Sequence, residues 1–265
     1  MSLLKVTALS ISFGDSRIVK DVSFEISDGE RVCLIGESGS GKSLTATAIN
    51  GLLPRNATVE GSILFKGQEL IGMPEKHLRS IRGREIGFVF QEPQTALNPV
   101  IKIRQQLLTA SRVHNQLGDG SSKQRAAELA RSVNLPNPEE IIERYPHELS
   151  GGQRQRIIIA MAMSLSPALL IADEPTTALD ATVQKHILEL MDDATQRMNT
   201  ALLMITHDMA VAYEIADRLL VMRHGSIVES GSSADVLTKP QHEYTKQLVD
   251  AARSTSLHVG ERSGG

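Results

Sequence analysis

Eight residues, GESGSGKS from Gly36 to Ser43, place glycines, hydroxyls and one lysine at a spacing suited to an anion. The pattern G-x-x-x-x-G-K-S lets successive backbone N–H groups turn inward around a phosphate, and a helix beginning there adds partial positive charge. Lys42 would reach the β- and γ-phosphates of a nucleotide, and the Ser43 hydroxyl suits Mg²⁺. The expected contacts to the nucleotide cover Gly36, Glu37, Ser38, Gly39, Ser40, Gly41, Lys42, Ser43 and Leu44. Cys33, just upstream, reads as a buried structural thiol.

A carboxylate pair, Asp173–Glu174, ends the apolar run LLIADE. Neighbouring strand residues point to opposite sides, which allows the two carboxylates separate jobs. Asp173 suits a contact to Mg²⁺ through water, and Glu174 suits orienting or deprotonating an attacking water. Two further apolar runs end in Gln91 and His207. Taken singly, each reads as a capping or loop residue. Together with the glycine loop they form a convergent polar set. Gln91 suits Mg²⁺ and the water, and His207 suits the γ-phosphate and the water–carboxylate geometry.

The elements that must carry these residues are legible as patterns. VCLIGE (32–37), IGFVFQ (86–91), LLIADE (169–174) and ALLMITHD (201–208) are short and apolar throughout, as strands buried on both faces of a parallel sheet are. VQKHILELMDDATQR carries a helical stripe of Val183, Ile187, Leu190, Met191 and Ala194. SILFKGQEL and RLLVMRHGSIVESG predict hairpins turning at Lys-Gly and His-Gly. From about 92 to 165 the patterns are helical (IKIRQQLLTASRV, KQRAAELARSVNL), separated by GDGSS and by prolines. The fold class is therefore α/β: a P-loop NTPase core with a mostly parallel sheet, a small antiparallel β subdomain and an inserted helical subdomain. One domain is expected over 1–250, with core 1–91 and 166–250, helical insertion about 92–165 and a flexible tail over 251–265.

Composition narrows the class. Of 265 residues, 41% are apolar and 22% charged, with net charge −3 and one cysteine. That excludes an intrachain disulfide framework and gives no footprint for nucleic acid. No apolar run approaches the roughly 20 residues that span a bilayer, so no direct membrane insertion is expected.

ELSGGQRQR (148–156) is turn chemistry leading into a helix, without a nucleophile–base pair of its own. Together with GESGSGKS, Gln91, LLIADE and His207, it resembles the nucleotide-binding subunit of ATP-binding cassette (ABC) transporters, from about residue 3 to 250. In that family LSGGQ, here 149–153, is the signature motif. GESGSGKS looks like the Walker A motif, LLIADE the Walker B, Gln91 the Q-loop, ALD (178–180) the D-loop and His207 the switch histidine. Phe13, otherwise a core residue, stands where the family places an aromatic on adenine.

The resemblance implies a head-to-tail dimer of two ABC ATPase subunits with two ATP molecules between them. Ser150, Gly151, Gly152, Gln153 and Asp180 of one subunit would then serve the nucleotide of the other. It further implies docking on two transmembrane permease subunits, an indirect solute-binding protein, and a peripheral place on the cytoplasmic face of the inner membrane. FVFQEPQTALNP, SLTATAINGLLP, LRSIRGREIG and PQHEYTKQL look like the first of two paralogous ATPases in peptide, nickel or opine importers. A heterodimer with a paralogue is thus expected. A cysteine cluster found in several relatives is missing, so no iron–sulfur centre is predicted, and IKIRQQL departs from the usual pattern after Asn98-Pro99. The alternatives are a soluble ABC ATPase of DNA repair or translation, or an exporter ATPase.

Overall fold

In chain order the strands are β1 (Ser2–Phe13), β2 (Ser16–Ser27), β3 (Arg31–Ile35), β4 (Ala57–Phe65), β5 (Gln68–Glu69), β6 (Ile86–Val89), β7 (Leu169–Asp173), β8 (Ala201–Thr206), β9 (Arg218–Arg223) and β10 (Ser226–Ser232). The structure, a computed structural model, describes residues 2–91, 96–117, 121–177 and 179–262, with side chains as far as Arg253. It divides into two units, Met1–Gly72 with Leu203–Gly265, and Met73–Leu202.

In the first unit, β2-β1-β4-β5 make an antiparallel sheet. Period-two alternation drives it: Val22, Phe24 and Ile26 of β2 point inward and the residues between them outward. A second run of strands has the order β10-β9-β3-β8. There β3 and β9 are parallel, with Val32 opposite Arg218 and Ile35 opposite Val221. The expected hairpins form at Lys66–Gly67 and at His224–Gly225, the latter with φ of 49° and 91°. Two positive φ values match the twist of the flanking strands, which is why glycine follows the turn's first residue. All six residues of β8 are buried, as its unbroken apolar run requires.

The second unit pairs β6 with β7 in parallel, Ile86 opposite Leu169 and Val89 opposite Ala172. Around them lie helices that include Ile103–Leu107, Thr109–Val113, Ser122–Ser132, Gly151–Met163 and Ala181–Met198. The last buries Ile187, Leu190, Met191 and Ala194 of the expected stripe, and Leu188 and Thr195 besides, whereas Val183 is half-buried. IKIRQQLLTASRV, read as one helical pattern, is two short helices. Leu108 lies at the break between them, and Leu107 and Leu108 are both fully buried. The helix Glu243–Arg262 runs through residues 251–262 of the segment expected as a flexible tail.

Candidate nucleotide site

β3 delivers the chain to Gly36, and the helix Lys42–Ile49 starts six residues later. Its N-cap is Gly41, which offers no side-chain cap, so no oxygen of its own cap residue competes for the amides of the helix start. Gly36 is pinned against β9: a Cβ there would lie 2.1 Å from the Met222 carbonyl oxygen. Lys42 is 4% exposed, and its Nζ donates to the carbonyls of Gly36 (2.8 Å) and Glu37 (2.9 Å). Ser40 is equally buried, and its Oγ lacks a hydrogen-bond partner among the described residues. An unpaired buried hydroxyl is costly, and an anionic oxygen would satisfy it. The loop therefore fits a nucleotide phosphate.

Walls from the same unit hold this loop. The Gly225 amide donates to the Ser40 carbonyl (3.1 Å), and the Glu37 amide donates to the Tyr244 hydroxyl (2.8 Å). Glu37, Ser38, Gly39 and Ser43 are exposed, and Leu44 is half-buried. Cys33 is fully buried, as expected, and burial pushes its thiol pKa up against the opposing pull of Lys42. Phe13 is half-buried at the end of β1, opposite Ala57 of β4. His207 is exposed just beyond β8, beside Asp208, whose carboxylate caps the helix Met209–Ile215 through the amides of Ala210 and Val211.

In the second unit, Asp173 is the last residue of β7 and is 7% exposed. Glu174 follows with φ of 46°, an uncommon backbone state for a residue with a Cβ. The strand has already ended there, so this turn, and not strand alternation, separates the two carboxylates. Glu174 Oε2 accepts from Gln91 Nε2 (3.1 Å) and from Thr177 Oγ1 (2.9 Å). Sequence reasoning thus finds Gln91 and Glu174, which the structure joins, and misses Thr177. The residues that follow Gln91, 92–95, and Ala178 of the ALD stretch lie outside the described residues.

The glycine pair of 148–156 opens the helix Gly151–Met163. Ser150 and Gln153 cap it reciprocally: Ser150 Oγ accepts from the Gln153 amide (3.3 Å), and Gln153 Oε1 accepts from the Ser150 amide (3.0 Å). A Cβ on Gly152 would lie 2.8 Å from Val183 Cγ1, whereas on Gly151 it would meet nothing nearer than Leu179 Cδ2 at 3.7 Å. Asp180 caps the helix Ala181–Met198 through the amides of Thr182 (3.1 Å) and Val183 (3.0 Å). Its position before a helical stripe is a sequence signal for that role.

A buried strand, a glycine cradle with a buried lysine and an uncapped helix start define a phosphate-binding-loop protein of the α/β class. The chain belongs to the ABC transporter family, whose model matches residues 19–177. It is 45% identical to the oligopeptide transport ATP-binding protein OppD of Bacillus subtilis (strain 168), covering 98% of this chain and 74% of OppD. It is 43% identical to the dipeptide transport ATP-binding protein DppD of Escherichia coli (strain K12), over 95% of this chain and 78% of DppD. The peptidoglycan transport ATP-binding protein YejF of Agrobacterium fabrum is 48% identical, and this chain spans 47% of its length. Among solved structures, the dimeric post-hydrolysis state of the ATP-binding cassette MJ0796, bound to ADP and Pi, superposes with a TM-score of 0.75 at 27% identity. That match covers 87% of this chain and 98% of MJ0796.

Proposed function

We propose that this chain is the ATP-hydrolysing subunit that energises a peptide importer. The observation that carries the catalytic part is Glu174, held at a left-handed φ at the end of a buried strand with its carboxylate engaged by Gln91 and Thr177. Strained backbone at a polar strand end is where a reacting group is commonly presented. Lys42, Ser40 and the start of the helix Lys42–Ile49 bind the phosphates of ATP. Gln91 and Thr177 orient the Glu174 carboxylate, which positions the attacking water or takes its proton. His207 supports that geometry, and Phe13 supports the base of the nucleotide.

Mg²⁺, assigned on the resemblance to Ser43, Gln91 and Asp173, would offset phosphate charge. Ser150, Gly151, Gly152, Gln153 and Asp180 serve a nucleotide held by a second ABC ATPase subunit, a paralogue in our reading, in a head-to-tail dimer. That dimer docks on two permease subunits at the cytoplasmic face of the membrane, fed by a solute-binding protein. Among the described residues no helix is long and apolar enough to cross a membrane. The relatives named for oligopeptide and dipeptide transport favour peptides over nickel or opines as cargo.

The test is Glu174→Gln in the assembled transporter, followed by phosphate release and ATP binding. ATP binding is retained and turnover falls by about a hundredfold or more, the scale of a lost general base. Turnover near that of the wild type would remove Glu174 from this role.

A further inference from the structure

Glu37 is held on both sides of its Cα. Its N–H donates to the Tyr244 hydroxyl at 2.8 Å, and its carbonyl accepts from Lys42 Nζ at 2.9 Å. Under the nucleotide reading Lys42 has a second task, because the same ammonium engages phosphate. The ammonium has three N–H donors, so its hold on the carbonyls is shared with phosphate, whereas the hold on the Glu37 amide is not.

Tyr244 is built to stay in place while this happens. It is 6% exposed, with the Arg223 guanidinium 4.7 Å from its ring centroid. The residues leading into its helix are anchored independently, since the amides of Gln241 (2.8 Å) and His242 (2.9 Å) donate to the Glu229 carboxylate of β10. The Tyr244 amide donates to His242 Nδ1 (3.1 Å). A phenylalanine would fill the same space and keep all of these contacts, so the hydroxyl is not what holds the helix. Its described partner is the loop.

We propose that Tyr244 is a positioning residue of the nucleotide site: its hydroxyl fixes the Glu37 peptide and so keeps the loop 36–43 in its binding shape when Lys42 turns to phosphate. This rests on the nucleotide reading above. The phenol stays protonated while doing so, because burial raises its pKa above the ordinary tyrosine value.

The experiment compares wild-type and Tyr244→Phe chains in the assembled transporter by hydrogen exchange at the Glu37 amide, ATP KM and kcat, and thermal midpoint. Exchange at Glu37 is expected to accelerate about tenfold and KM for ATP to rise about five- to tenfold, the range of one ordinary hydrogen bond. Protection across 229–242 and kcat stay within twofold, and the midpoint moves by about 4 °C or less. A KM within twofold of wild type overturns the inference. So does a larger fall in midpoint with matching loss of protection across 229–242, which would make the hydroxyl structural. If the wild-type complex neither binds nor hydrolyses ATP, the proposed function fails. In that case Glu37 exchange alone decides whether Tyr244 holds the loop.

Discussion

Two junctions in this chain lead from glycines into a helix, at 36–43 and at 148–156, and they are finished in opposite ways. At the first, the N-cap is Gly41, without a side chain to close the helix start, and the loop is enclosed by Met222, Gly225 and Tyr244 of its own unit. At the second, Ser150 and Gln153 close the helix start reciprocally, while Ser150 and Gly151 lie exposed. A hydroxyl has two acceptor lone pairs and one proton, so capping uses acceptor capacity and leaves Ser150 a proton to donate. The first junction is shaped to take an anion into itself. The second is already complete as a helix start, and its exposed hydroxyl keeps a proton free for the role proposed at a second subunit's nucleotide.

The largest expected effect breaks the first junction. Lys42→Ala lowers turnover by about 10²–10³-fold, the scale for losing one donor to developing charge, and weakens ATP binding to the same chain. Measured alongside, a variant at Ser150 should leave ATP binding to its own chain intact. Equal losses of binding from both would erase the contrast.

The glycines of the second junction separate packing from ligand access. Gly152→Ala pushes a Cβ into Val183 and costs about 1–3 kcal/mol of stability. Adding Val183→Ala should restore part of it in a denaturation series. Gly151→Ala has room, so its stability stays at the wild-type level while turnover in the dimer falls. Matching stability losses in the two single variants would refute the division.

The smallest effect is on the cap. Ser150→Ala loses about 1 kcal/mol of helix stability, whereas Ser150→Asp keeps the cap and stays within about 0.5 kcal/mol of wild type. Both lose turnover. An Asp variant with full activity would show that the hydroxyl proton has no role outside its own helix.

Much of the site was legible because its signals are local. VCLIGE, IGFVFQ, LLIADE and ALLMITHD are apolar runs, and each contains a strand buried along most of its length, although β6 stops at Val89 and leaves Phe90 exposed before Gln91. Less legible was β1, where the register with β2 shifts between Val6 and Leu9 and Ala8 adopts φ of 50°, which breaks the alternation a strand announces itself by. Thr177 went unrecognised because its task depends on where the Glu174 turn aims the carboxylate. Tyr244 stood in PQHEYTKQL as a mark of kinship only. Its partner Glu37 is far away in sequence, and no periodicity reports a contact of that span. Asp180 carries a cap that its sequence position foretells, beside the role that resemblance assigns it.

The pairing of β3 with β9 sets an order of manufacture. The glycine loop leaves the ribosome early, but Met222, Gly225 and Tyr244, which enclose it, are made about 200 residues later. At about 5–20 residues per second that delay is about 10–40 s. Meanwhile all of Met73–Leu202 is synthesised and is free to fold on its own contacts. The nascent loop therefore has no finished pocket to offer a nucleotide until Tyr244 has been made, and a chain stopped before Tyr244 carries its full motif without the wall behind it.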